Sequence, residues 1–153
     1  MTIRGISFEL DSSLSEDFLV ELFGLINASQ FYWHVIQTQT EALDGLFQND
    51  LFSKEYYRGL DLLNCNFKDS NIIFLKLQGY AYKCISNSIH TYADFQQSNC
   101  QLLLLIYDCR NLELYSKDIG IIQAIQSNLL KCGYEHFKII TDANDSRTKM
   151  DIL

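Results

Sequence analysis

The sequence predicts an α+β fold: a mixed, mostly antiparallel sheet of about five to six strands, with three to four helices packed mainly on one face. Some stretches alternate apolar and polar residues as strands do, and others repeat apolar residues at helical spacing. Hairpins and helical crossovers both occur in the predicted order β-α-β-α-β-α-β-β-α-β, so we expect a mixed sheet. The 153 residues contain no proline. Nothing in them resembles a linker, and we predict a single domain over residues 1–153, with 141–153 as a polar C-terminal tail.

The strands are predicted from alternation and from β-forming residues. Residues 100–107 are nearly all apolar, which is typical of a central strand covered on both faces. Residues 71–77 form another strand, which we expect to extend to residue 84 with a bulge or kink at Gly79. The remaining predicted strands are 3–9, 31–38, 112–116 and 137–140.

The helices are predicted from apolar stripes and from capping residues. Ser13 or Ser15 can cap the first helix, Thr91 the third and Asp118 the fourth, since their side-chain oxygens accept hydrogen bonds from the first turn. Gly133 is expected to follow the end of the last helix. The predicted helices are 14–28, 54–63, 91–97 and 118–132.

The charge distribution argues against nucleic acid as a partner. The net charge is −7, and residues 5–53 hold eight acidic residues and no Lys or Arg. Phosphate backbones are bound by Lys and Arg, so this part of the chain is a poor nucleic-acid surface. It would attract a basic protein, or merely keep the chain in solution.

The sequence predicts a cytoplasmic protein without a membrane segment. The longest wholly apolar run covers residues 102–107, far short of the roughly 20 residues that span a bilayer. Glu9 and Asp11 interrupt the stretch after Arg4, so no secretory signal is predicted.

Cysteine spacing predicts neither a disulfide framework nor a zinc site. The count is odd, the spacing is irregular, and no Cys-x-x-Cys pair occurs. No familiar catalytic or nucleotide-binding motif occurs either, and we predict no metal and no cofactor. Most of the cysteines fall inside apolar or mixed predicted strands and helices, so we expect buried, unreactive thiols. The five are Cys65, Cys84, Cys100, Cys109 and Cys132.

Four sequence blocks carry a resemblance to a known family. They are residues 4–9 (Arg-Gly-Ile-Ser-Phe-Glu), 98–102 (Ser-Asn-Cys-Gln-Leu), 115–118 (Tyr-Ser-Lys-Asp) and 140–148, which opens with Ile-Thr-Asp-Ala-Asn-Asp. On these blocks the chain resembles a small family of uncharacterised proteins from Gram-positive, spore-forming bacteria, over essentially its whole length. The resemblance implies a bacterial, cytosolic origin and implies no activity.

The tail contains a polar motif in which Asp142, Asn144, Asp145 and Arg147 stand close together. Its start resembles a calcium loop, but Arg147 stands where such a loop needs Gly and Leu153 where it needs Glu. Asp and Asn side chains also bond their own backbone in turns, and Arg147 can pair with a carboxylate. The motif is therefore a structural cap, or a contact for a ligand or partner.

A second candidate is the turn Asp108-Cys109-Arg110, where a guanidinium next to the thiol could favour the thiolate. A small enzyme or small-molecule site could use Cys109 or His34 together with Asp142 or Asp145 of the tail. The alternative for this turn is a hairpin connection with an incidental cysteine.

Surface residues support a non-catalytic binding protein as the preferred function. Glu16, Asp17 and Glu21 lie in the acidic stretch and could contact a basic protein partner. Tyr80 and Tyr82 lie on a predicted strand and, with Tyr107 and Tyr115, could form an exposed sheet face of the kind found in recognition surfaces, unless they pack at the edge of the core. Whether the chain is a monomer or a dimer stays open.

Overall fold

The computed structural model describes residues 2–12, 14–42, 51–65 and 67–152. It contains one open sheet of seven strands in the order β3-β2-β4-β5-β6-β1-β7. The strands are β1 (Ile3–Glu9), β2 (Tyr32–Ala42), β3 (Tyr56–Arg58), β4 (Ser70–Tyr80), β5 (Cys100–Tyr107), β6 (Asn111–Ser116) and β7 (Phe137–Thr141). The helices are α1 (Glu16–Leu25), α2 (Gly59–Leu63), α3 (Tyr92–Gln97) and α4 (Ile119–Lys131).

The predicted α+β class is confirmed, and the sheet differs from the prediction in two respects. The seventh strand is β3, which lies inside the stretch predicted as the helix 54–63; only Gly59–Leu63 is helical. Every neighbouring pair is antiparallel, so the predicted mixed sheet is wrong. The reason is that most helices connect strands that are not neighbours in the sheet. For example, α4 joins β6 to β7, and β1 lies between these two strands and is antiparallel to both.

Three helices cover one face of the sheet, here called the helix face. Amphipathic stripes on α1, α2 and α4 pack against alternate residues of the strands, since successive side chains of a strand point to opposite faces. The buried residues of this face include Leu22 and Phe23 of α1, Leu62 of α2, Ile122 and Ile125 of α4, and Ile6, Trp33, Leu77, Leu104 and Leu114 of the sheet.

The opposite face, here called the tail face, is covered by α3 and by the C-terminal segment 142–152. Leu103 and Leu105 of β5 are buried there against Phe95 of α3 and Met150 of the C-terminal segment. The prediction that β5 is a central strand covered on both faces is therefore confirmed. The tail predicted to be polar contributes a buried methionine to this core.

Gly79 marks an irregularity in β4, as predicted. The register with β5 shifts between Gly79 and Tyr80, but the strand ends at Tyr80, so its expected extension to residue 84 is wrong. A Cβ at Gly79 would lie 2.7 Å from Cζ3 of Trp33. The glycine thus makes room for the indole, whose Nε1 donates a hydrogen bond to the Ala28 carbonyl at 2.8 Å.

The predicted helix caps are confirmed. Ser15 accepts from the Phe18 amide, Thr91 forms a reciprocal capping box with Asp94, and Asp118 accepts from the amide of Gly120. The alternative cap Ser13 lies outside the described residues. None of the helices described here has the length and apolar character needed to cross a membrane.

Candidate functional site

Strand pairing brings two rows of side chains together on the tail face, at the β3 edge of the sheet. Tyr32 of β2 lies opposite Arg58 of β3 and Tyr80 of β4. In the next row, His34 lies opposite Tyr56 and Gln78. Directly opposed residues of antiparallel strands point to the same face, so these side chains form one surface.

All of these side chains except Gln78 line one wall of a pocket of about 400 Å³. The chain beyond β4, from Tyr82 to Ser86, forms the other wall, and Asp61 of α2 lines the pocket as well. Ligand pockets commonly have volumes of about 300–1,000 Å³, mostly apolar walls and a few polar groups. This pocket, here called the aromatic pocket, has that composition.

His34 is the polar centre of the aromatic pocket. Its Nδ1 lies 2.5 Å from the Ser86 hydroxyl oxygen and its Nε2 lies 2.8 Å from Oε1 of Glu55. The Tyr56 ring stacks on the imidazole, with ring centroids 4.1 Å apart and an angle of 13° between the planes. A carboxylate only accepts hydrogen bonds, so Nε2 carries a proton, and in the neutral imidazole Nδ1 accepts from Ser86.

A second set of hydrogen bonds ties the wall of the pocket to the sheet. The Tyr80 hydroxyl donates to Oε1 of Gln78 at 2.6 Å and accepts from the Asn87 amide at 2.9 Å. The Ser86 hydroxyl also lies 3.0 Å from Oε1 of Gln78. Burial raises the pKa of Tyr80. The phenol therefore stays neutral and keeps donating its proton across the neutral pH range.

Comparison with known proteins identifies the family. The family model described as protein of unknown function (DUF2691) matches residues 3–151. The chain belongs to this family. It is also similar to the uncharacterised protein YncE of Bacillus subtilis (strain 168), with 26% identity over 156 residues, covering 97% of this chain and 99% of that protein. No solved structure matches the chain. The predicted resemblance to a bacterial family of unknown function is thus confirmed, and Bacillus subtilis is Gram-positive.

Tyr80 and Tyr82 both line the aromatic pocket of this DUF2691 chain. The wider expectation of an exposed tyrosine face is wrong, because Tyr80 and Tyr115 are 3% and 0% exposed. The tail face is covered, because Tyr92 of α3 packs its ring against Tyr115 and the C-terminal segment lies over the same face.

The predicted tail residues act on the tail's own backbone and on the sheet. Asp142 accepts from the Thr2 amide, and Asn144 bonds the backbone of residues 139 and 141. Asp145 accepts from Arg4 and from the Tyr115 hydroxyl. Arg147 pairs with Glu113 of β6. These contacts fit the interpretation of the motif as a structural cap, and its contact with a ligand or partner stays a prediction.

The predicted pairing of Cys109 or His34 with tail carboxylates does not form. His34 bonds Ser86 and Glu55 instead. Asp108 and Cys109 both have positive φ, as a tight hairpin connection between β5 and β6 requires, and Arg110 pairs with Glu9 at 3.3 Å. The Cys109 turn thus serves as a hairpin connection.

Glu16, Asp17 and Glu21 are exposed on α1. Among the described residues, none of the three lies within 4.0 Å of a cationic side chain. Within the same residues, no group of three His, Cys, Asp or Glu side chains is arranged to hold a metal ion.

Sequence reasoning missed most of the pocket. The alternation of β2 placed Tyr32 and His34 on one face, which was an available signal. The helical spacing of residues 54–63 predicts a helix at Glu55 and Arg58, and Ser86 lies in an irregular segment without any motif. Only the strand register shows that these residues meet.

Proposed function

We propose that this protein binds a small molecule carrying a flat ring in the aromatic pocket. The observation that carries the proposal is that the exposed large apolar side chains are concentrated in this pocket. Nine large apolar side chains are exposed among the described residues. Four of them line this one pocket: Tyr32, Tyr56, Tyr82 and Ile85. Exposed apolar groups scattered singly are ordinary, whereas a concentration in a concave site is typical of a binding surface.

The polar groups of the pocket support a neutral or anionic ligand. Arg58 and Lys83 both line it, against one carboxylate on the lining, Asp61. In the part of the chain that the structure describes, neither cation lies within 4.0 Å of a carboxylate. A ligand with a ring for the tyrosines and a negative edge for the cations would satisfy both parts of the lining.

A cytoplasmic location belongs to the same proposal. All five cysteines are free, and only Cys100 is buried, so the expectation of buried thiols is wrong for the other four. Unpaired thiols are typical of a reducing compartment, so they support the cytoplasm as the place of action.

The proposal is tested by titration with anilinonaphthalene sulfonate, an anionic aromatic dye that fluoresces in apolar sites. We expect saturable binding to one site, weakened about fivefold by Tyr82→Ala, since one aromatic contact is worth about 1 kcal/mol. Leu130→Ala on α4 is the matched control, because Leu130 is also an exposed apolar residue but lies on a helix of the opposite face. Equal loss in both variants, or no saturable binding, would refute the proposal.

A second candidate function is contact with a basic protein through α1. It is supported by the three exposed carboxylates of Glu16, Asp17 and Glu21 and by the exposed Val20 among them. Capture from native extract at low salt and at about 0.5 M salt tests it, since screening at high salt weakens contacts between exposed charges. A basic partner should be lost at high salt and lost with Glu16→Gln, Asp17→Asn and Glu21→Gln combined. Capture that ignores both changes would contradict this function.

A further inference from the structure

Two groups of the aromatic pocket and one beside it stand in the order that covalent catalysis uses. A hydroxyl (Ser86) contacts an imidazole nitrogen at 2.5 Å, and the other nitrogen of that imidazole (His34) contacts a carboxylate (Glu55) at 2.8 Å. A nucleophile within hydrogen-bond reach of a base, with the base oriented by a third group, is the structural signature of an activated serine. Such triads are recognised by geometry and role, and the order of residues in the chain does not matter.

The surroundings hold this arrangement in one state. His34 is buried, and the Tyr56 ring stacked on it limits rotation of the imidazole. Glu55 fixes the proton on Nε2, which leaves Nδ1 as the acceptor for the Ser86 proton. Oε1 of Gln78 is a second acceptor for that proton, but it lies 3.0 Å from the Ser86 oxygen and also accepts from Tyr80, whereas Nδ1 lies at 2.5 Å and is the nearer acceptor. Ser86 is one of the residues that line the pocket, where a ligand would sit.

We propose that Ser86 is a nucleophile that cleaves carboxylic esters of small ring-bearing compounds bound in the aromatic pocket. The inference rests on the proposed binding function. Ser86 Oγ forms a bond to the ester carbonyl carbon while its proton passes to Nδ1 of His34. The ester C–O bond then breaks, and the leaving oxygen takes that proton and departs as the alcohol. Water next attacks the acyl carbon and gives a proton to His34, and the carboxylic acid leaves as Ser86 regains its proton.

Other residues have defined parts in this step. Glu55 is a positioning residue, since it orients the imidazole and does not face the ester. Arg58 lines the same pocket, and its positive charge would stabilise a developing oxyanion. Because Glu55 is 66% exposed, we expect its loss to slow the reaction less than the loss of His34.

The experiment uses p-nitrophenyl acetate as the ester and phenylmethylsulfonyl fluoride as the covalent probe. We expect release of p-nitrophenol, one sulfonyl group per chain by intact mass, and Ser86 as the modified residue by peptide mapping. Ser86→Ala should abolish the adduct and lower the rate by at least about 100-fold, and His34→Gln should lower it similarly. Glu55→Gln should slow acylation while leaving the affinity for anilinonaphthalene sulfonate unchanged.

Ser88→Ala is the matched control, because Ser88 is an exposed serine two residues along the same segment. It should react like the parent chain. The inference is overturned if Ser86→Ala keeps the adduct or the rate, or if the parent chain forms no adduct. Dye binding separates the two proposals: a chain that binds the dye in the pocket but is never acylated keeps the binding function and loses the esterase.

Discussion

The pair Lys76–Asp151 gives the sharpest prediction about what holds the C-terminal segment on the sheet. Lys76 lies on β4 with a side chain only 1% exposed. Its ammonium donates to the Ile89 carbonyl at 2.5 Å and to the Asp151 carboxylate at 2.9 Å. The other Asp151 oxygen lies 2.8 Å from Nδ1 of His90. Asp151 is thus the only carboxylate among the described residues within 4.0 Å of this buried cation.

Asp151→Asn leaves the ammonium of Lys76 buried without a counter-charge. Removing one partner of a buried pair costs about 3–5 kcal/mol of unfolding free energy. Asp151 is itself 26% exposed, so water reaches part of the site, and we expect the lower end, about 3 kcal/mol. For a chain of this size that lowers Tm by about 6–12 °C.

Urea unfolding followed by the fluorescence of Trp33, the one tryptophan of the chain, measures this change. Lys76→Met combined with Asp151→Asn should recover most of the loss, because the double variant buries no charge. His90→Gln is the control, since it removes the exposed donor of the same carboxylate and should cost under about 0.5 kcal/mol. A loss below about 0.5 kcal/mol for Asp151→Asn alone would refute the reasoning.

The same pair predicts a pH dependence. Partial burial raises the pKa of Asp151, but hydrogen bonds from Lys76 and His90 outweigh it and hold that pKa below its usual 3.8. A lowered folded-state pKa means that the carboxylate stabilises the fold fully above the unfolded pKa and that this is lost as pH falls through the folded value. The difference between the parent chain and Asp151→Asn should stay constant from about pH 7 to pH 5 and shrink below about pH 4.

Three further predictions concern buried positions. Gly79→Ala should cost about 1–3 kcal/mol in urea unfolding, because the added Cβ would lie 2.7 Å from the buried Trp33 ring; an unchanged midpoint would contradict this. Burial raises the pKa of Cys100 to about 12, so Ellman's reagent at pH 8 should label the exposed Cys132 and spare Cys100 until the chain unfolds. Asp145→Asn should cost about 1–3 kcal/mol, since that 3%-exposed carboxylate accepts from two side chains of the sheet; a neutral result in thermal unfolding would make those bonds dispensable.

Local signals were enough to predict most of the elements. Six of the seven strands follow from alternation or from a continuous apolar run, and three helix starts follow from a single capping oxygen at Ser15, Thr91 and Asp118. These features depend on a few consecutive residues, so they can be read without knowing the partner of any strand.

The stretch 54–63 shows where local signals fail. Its apolar residues have helical spacing, but Tyr56 and Tyr57 pair with β2 and leave only five residues for α2. Aromatic residues are also common in strands. Whether such a stretch forms a helix or a strand depends on whether a neighbouring strand has a free edge for it to pair with. That is a tertiary property, because β2 is separated from β3 by residues 43–55.

The candidate site could not be predicted from the sequence either, because it depends even more on tertiary contacts. His34, Glu55 and Ser86 are brought together by the register of β2 on β3 and by the bend after Tyr80, and no two of them are closer than 21 positions in sequence. Spacing motifs detect chemistry only when one element carries the reacting groups. Here each group lies on a different stretch of the chain, and Tyr80 accepts a hydrogen bond from the Asn87 amide next to Ser86, which holds the third group in place. Because the short edge strand β3 is not predicted from the sequence, neither the carboxylate of Glu55 nor the stacked ring of Tyr56 can be placed in the predicted site.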